Sequence, residues 1–231
     1  MGVFGPAEWQ AVLLSVKVSL WASVLSLPFG IWVAYALARW SFPGKTILNG
    51  LVHLPLVLPP VVTGFLLLLV FGSNAVLGAW LERNLGLVLA FRWTGVVLAA
   101  AVMGFPLMVR AIRLSIEAVD PKLEQAAATL GASPLRVFAT VTLPLVLPGI
   151  LAGLVLAFAK AMGEFGATIT FVSNIPGQTQ TVPSAIYTFL QVPGGEPAAF
   201  RLVIVSVIVA MGALMLSERI SRHAARRVAG L

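Results

Sequence analysis

Apolar residues run through this chain in blocks of about 20, the length a helix needs to cross a bilayer, and polar residues collect in the gaps. Five blocks qualify: Ala11–Ala38, Leu48–Phe71, Thr94–Ser115, Val141–Met162 and Arg201–Ser217. The first, at about 28 residues, is long enough to tilt or overhang the membrane. No basic region precedes it and no small-residue cleavage site ends it, so it reads as a span and not as a signal peptide. Ile169–Leu190 is moderately apolar but interrupted by Pro176, Gly177 and Pro183. It reads as an outer loop carrying a short helix at Ser184–Leu190, with a sixth span the less favoured option. The expected fold is therefore an all-α membrane protein of about five transmembrane helices. Residues 1–10 form an outer N-terminal segment, 11–217 the transmembrane domain with loops at 116–140 and 164–200, and 218–231 a basic tail.

Composition agrees with the pattern. Apolar residues make up 59% of the 231 and charged residues 10%, with a mean hydropathy of +1.00. The absence of cysteine excludes disulfides and thiolate metal sites. A net charge of +7 would suggest nucleic acid in a soluble protein, but here it reports orientation, because cytoplasmic loops collect Lys and Arg. With the N-terminus outside, the inner segments hold Arg39, Lys45, Arg110, Arg113, Lys122, Arg136, Arg219, Arg222, Arg226 and Arg227. The outer segments hold only Arg83, Arg92 and Arg201. The chain is thus expected in the inner membrane with its C-terminus cytoplasmic. Its tail "SERISRHAARR" reads as a segment drawn to anionic lipid and not as a nucleic-acid patch.

The inner segment after the third span carries orderly helix signals. Asp120 is a good N-cap and Pro121 a good first helical residue. Glu117, Asp120 and Glu124 suit the positive end of a helix dipole, and "LEQAAATL" is strongly helix-forming. Gly131 supplies the left-handed residue that ends a helix, and Ser133-Pro134 starts another. Two short helices parallel to the inner surface are expected, and on composition alone they would serve merely as a link between spans.

This stretch resembles the coupling motif of ABC importer permeases, E-A-A-x3-G-x9-I-x-L-P. Ala126, Ala127 and Gly131 fall on the motif's Ala-Ala and Gly, and Val141-x-Leu143-Pro144 on its I-x-L-P. The motif's Glu column falls on Gln125, with Glu124 one position earlier, so the acid that meets the motor is left open. The resemblance implies that Glu124, Gln125, Ala126, Ala127, Gly131, Leu143 and Pro144 couple the chain to a separate ATPase subunit. Across the chain, "LPLVLPPVVTGFLLL", "GFPLMVRAIRLSIEAVD", "GEFGATITFVSNIPG" and "TVPSAIYT" resemble the molybdate branch of the oxyanion permeases, "GEFGA" being shared with the sulfate branch. This implies a homodimer, two ATPase subunits that bind ATP and Mg, and an outer molybdate-binding protein, for which the outer segments Val76–Phe91 and Ser173–Ala199 are the candidate docking surface. A sulfate or tungstate permease is the alternative within the family, and an ion-coupled carrier or channel the alternative outside it.

The remaining chemistry is sparse. "PGKT" at 43–46 lacks the earlier glycine and preceding strand of a phosphate loop, so no cofactor is expected on this chain. His53 and His223 have no ligand-spaced partner. Lys17 reads as snorkelling to the outer interface, and Lys160 and Glu164, four residues apart, as a structural pair on one helix face. Gly149 and Gly153 suggest close helix packing. Proline breaks at membrane depth are tolerated where freed carbonyls face protein or a water-filled path. The translocation path is accordingly expected at Pro59, Pro60, Thr63 and Gly64, with Glu164, Thr168 and Thr170 towards the outer mouth.

Overall fold

A computed structural model describes residues 5–228, with side chains through Leu216 and at Glu218 and Arg219. The elements are α1 (Pro6–Arg39), α2 (Lys45–Val57), α3 (Pro60–Phe71), α4 (Val76–Leu85), α5 (Trp93–Glu117), α6 (Pro121–Thr129), α7 (Pro134–Val137), α8 (Leu143–Met162), α9 (Gly166–Val172), α10 (Val182–Leu190) and α11 (Glu196–Val228). A π-helical turn, Phe138–Thr142, joins α7 to α8. Among the described residues four helices are long and apolar enough to cross a membrane: Pro6–Arg39, Trp93–Glu117, Pro134–Met162 and Glu196–Leu216.

The fifth expected span is not one straight helix. Leu48–Phe71 divides into α2 and α3, which are bent by 117° at a break of two residues. Leu58 and Pro59 each precede a proline, a position that disfavours the helical backbone, and both are extended (ψ 142° and 133°). Pro60 then opens α3 where its missing N–H costs nothing. Pro28, Pro106 and Pro148, each without a second proline beside it, remain inside helices.

Three apolar clusters hold the bundle. One joins α1, α3, α5 and α9 around Val18, Leu67, Val96, Met103 and Phe171. A second joins α1, α2, α5 and α8 around Leu37, Val52, Ile112 and Val146. The third ties α10 and α11 to the start of α1. Ser15 Oγ accepts the Val182 N–H at 2.7 Å, and Glu8 pairs with Arg201 at 2.8 Å. The small residues Gly149 and Gly153 lie against Ser115, Met108 and Ile112, so α8 and α5 pack at close range.

Four boundaries differ from the sequence reading. The stretch expected as the start of an outer loop forms α9, whose Ala167, Phe171 and Val172 are fully buried. Its N-terminus is capped by the Glu164 carboxylate, which accepts the Ala167 N–H at 2.9 Å. The short helix expected from Ser184 starts at Val182, with Pro183 in its first turn. The second inner helix is not separate: α7, the π turn and α8 form one 29-residue helix. Pro144 accounts for the π turn, because it lacks an N–H and crowds the carbonyl four residues back. The Leu143 N–H accordingly reaches five residues back, to Phe138 O. The expected tail at 218–231 continues α11 as far as Val228, while the side chains of Arg222, Arg226 and Arg227 lie outside the described residues.

Candidate functional site

The α6–α7 segment is built as its residues dictate. Asp120 Oδ1 accepts the Lys122 N–H at 2.9 Å and Pro121 opens α6. Gly131 ends it at φ +83°, with the Ala132 N–H donating to Ala127 O at 3.2 Å. No residue of α6 is buried. Leu130 is 88% exposed and Leu135 78% exposed, beside a half-exposed Leu123. These exposed leucines lie outside the apolar spans, in the segment that joins α5 to α8.

The motif residues divide between two faces. Gln125 and Ala126 are exposed and Ala127 is half-buried. Glu124 turns inward: Thr142 Oγ1 donates to its Oε1 at 2.7 Å, and Arg39 Nε lies 3.2 Å from its Oε2. Leu143 packs on the second apolar cluster, while Pro144 is exposed. Arg39 and Thr142 were missed as site residues by sequence reasoning. The available signal was a basic residue closing the first span and an acid in the segment expected on the same side.

The residues expected on the path meet where α3 packs on α9. Pro59 and Pro60 are exposed and Thr63 is buried, its hydroxyl without a hydrogen-bond partner. Gly64 lies against Ala167 and Gly166 against Pro60. Glu164, its side chain 1% exposed, pairs with Lys160 at 2.7 Å. That bond neutralises both charges, and the second carboxylate oxygen caps α9. Thr168 and Thr170 donate to Phe165 O (2.8 Å) and Gly166 O (2.9 Å) of their own helix. Lys17 Nζ stands 3.9 Å over the Trp93 ring, a cation–π contact that shelters its charge. "PGKT" opens α2 as a turn, with Lys45 Nζ donating to Trp40 O at 3.0 Å. Among the described residues no three His, Asp or Glu side chains gather as a metal site.

The sequence pattern of the binding-protein-dependent transport system inner membrane component family matches residues 26–230. The chain belongs to that family. It is a multi-pass inner-membrane transport component and not itself an enzyme. The permease is 62% identical over 223 residues to the molybdenum transport system permease protein ModB of Escherichia coli (strain K12), covering 95% of this chain and 97% of that one. It is 36% identical over 226 residues to the sulfate transport system permease protein CysT of the same organism, covering 97% and 79%. Its fold matches a bacterial ABC transporter involved in the import of the acidic polysaccharide alginate, at a TM-score of 0.74 and 18% identity over 95% of this chain and 80% of that one.

Proposed function

We propose that this permease forms the molybdate path of an ATP-driven importer. Two copies enclose the path, two ATPase subunits bind ATP and Mg on the cytoplasmic side, and an outer binding protein delivers the anion to Val76–Phe91 and Ser173–Ala199. The observation that carries the coupling role is the exposed leucine surface of α6–α7 on a helix with no buried residue of its own. The balance of Lys and Arg supports a cytoplasmic position for that surface. Molybdate is favoured by 62% identity to a molybdenum permease against 36% to a sulfate permease. A dianion cannot cross hydrocarbon unaided, so two copies closing around a gated aqueous path make the simplest symmetric solution. The Pro59–Gly64 and Glu164–Thr170 segments line or gate it, with Glu164 holding α9 against α3.

Closure of the ATPases on ATP draws the two α6–α7 segments together and rocks the halves from inward-open to outward-open. Hydrolysis resets them. Leu130→Asp, combined with Leu135→Asp, is expected to cut co-purification of the ATPase by more than about tenfold, as loss of a buried interface anchor does. Full co-purification with normal uptake would remove the coupling role. For the substrate, calorimetric titration of the cognate binding protein should give tight binding of molybdate and much weaker binding of sulfate. The reverse order would reassign the anion.

A further inference from the structure

Glu124 is, among the described residues, the one side chain of α6 that bonds to another element. Through its two oxygens it reaches two spans at once. Arg39, in the last turn of α1, reaches Glu124 with Nε and also donates from Nη2 to Val119 O, in the link from α5 to α6, at 2.9 Å. Thr142, fully buried in the π turn before α8, donates to the other oxygen. Both charged side chains are only 16% exposed. Aromatic rings stand beside them: Tyr35, one turn before Arg39, meets Phe138 edge-on at 5.4 Å and Trp40 at 6.2 Å. An ion pair shielded in this way is screened little by salt. The hydrogen bond from Nη2 to Val119 O holds the guanidinium in place beside the carboxylate, which it meets as an ion pair.

No residue of α6 is buried, so apart from its two connections the helix is held to the bundle through Glu124. We infer that Arg39, Glu124 and Thr142 form a brace that makes α6 move as one body with α1 and α8. The three are positioning residues, and the inference rests on the reading of α6–α7 as the surface gripped by the ATPase. The neighbouring Gln125, exposed on the other face, is left free for the partner. The brace therefore separates two roles along one short helix: an outward face that is held, and an inward carboxylate that passes the displacement on.

The test uses the full importer in proteoliposomes, measuring ATPase co-purification, ATP hydrolysis and uptake of radiolabelled molybdate. Arg39→Gln and Glu124→Gln are each expected to leave the ATPase bound but raise the ATP hydrolysed per anion by about tenfold, within the usual range of coupling between sites. The double variant should fall well short of the product of the two single effects, because the Arg39–Glu124 pair is already lost in each. Thr142→Val should act in the same direction more weakly, and Arg39→Lys, which keeps the charge but loses the fork, should fall between. An unchanged ratio in both Gln variants, or effects that multiply in the double variant, would overturn the brace. Loss of ATPase binding in Glu124→Gln alone would show that this carboxylate grips the motor directly, which also overturns it. If the charge variants fail to accumulate in the membrane, the near-isosteric Thr142→Val decides by the same ratio. Intact ATPase binding in Leu130→Asp/Leu135→Asp would instead remove the underlying coupling role, and the brace with it.

Discussion

Gly131→Val is expected to abolish productive uptake while leaving the ATPase bound and hydrolysing. The residue has φ +83°, where a β-branched side chain is strained by about 1–3 kcal/mol. Space is not the obstacle, since a Cβ built there meets nothing within 4 Å. The effect must then follow backbone preference and not side-chain volume. Gly131→Asn, which tolerates the left-handed region, should keep most of the uptake, and Gly131→Ala should lie between. A strained turn re-aims α6 relative to α7, and with it Leu130 and Leu135. Parallel assays of ATP hydrolysis and anion uptake in proteoliposomes check this. Normal uptake in Gly131→Val would show that the angle between α6 and α7 does not matter to coupling.

Gly64→Leu should be the most damaging substitution within the membrane. A Cβ at this position would stand 2.4 Å from Ala167 O and 2.9 Å from Ala167 Cα. Both atoms are backbone, so no side chain can rotate away. Nor can α9 retreat: the Glu164 carboxylate fixes its first turn, and Phe171 and Val172 are fully buried in the first apolar cluster. Overpacking of this kind costs about 1–3 kcal/mol or more. The purified permease should therefore melt several degrees lower, and uptake should be lost as α3 and α9 separate. Gly64→Ala should show the same signs at smaller size. Gly50, with open space where a Cβ would go, supplies the control: Gly50→Ala should be neutral or slightly stabilising, as expected for alanine in a helix. Wild-type melting and uptake in Gly64→Leu would mean that the α3–α9 contact is not required.

These predictions share a division of labour between two ends of the bundle. The exposed end, α6–α7, depends on turn geometry and one polar brace. The buried end, α3–α9, depends on backbone approaching backbone without side chains between. Glu124 ties α6 to Thr142 at the foot of α8, whose last turn carries Lys160, paired with Glu164 at the entry to α9. On the proposed coupling, that continuity is a route from the gripped α6–α7 segment to the α3–α9 contact.

Much of this was legible before any coordinates, because a bilayer makes apolar length the dominant constraint and demands that each backbone group be satisfied within its own helix. The spans beginning or ending at Ala11, Met162 and Ser115 follow from local runs, as do the Asp120 cap, the Gly131 turn and the Lys160–Glu164 pair, all of which need only neighbours a few residues away. The bend at Pro59 was visible as a proline break but its angle was not, since that is set by the packing of α3 on α9. The helix at Gly166–Val172 was hidden because its apolar run is too short to read as a span and its cap comes from the preceding loop. Which of two adjacent residues, Glu124 or Gln125, turns inward was equally out of reach. Successive helical side chains point about 100° apart, and only the arrival of Arg39 from α1 and Thr142 from the π turn before α8, distant in sequence and joined by folding, decides which one the bundle keeps.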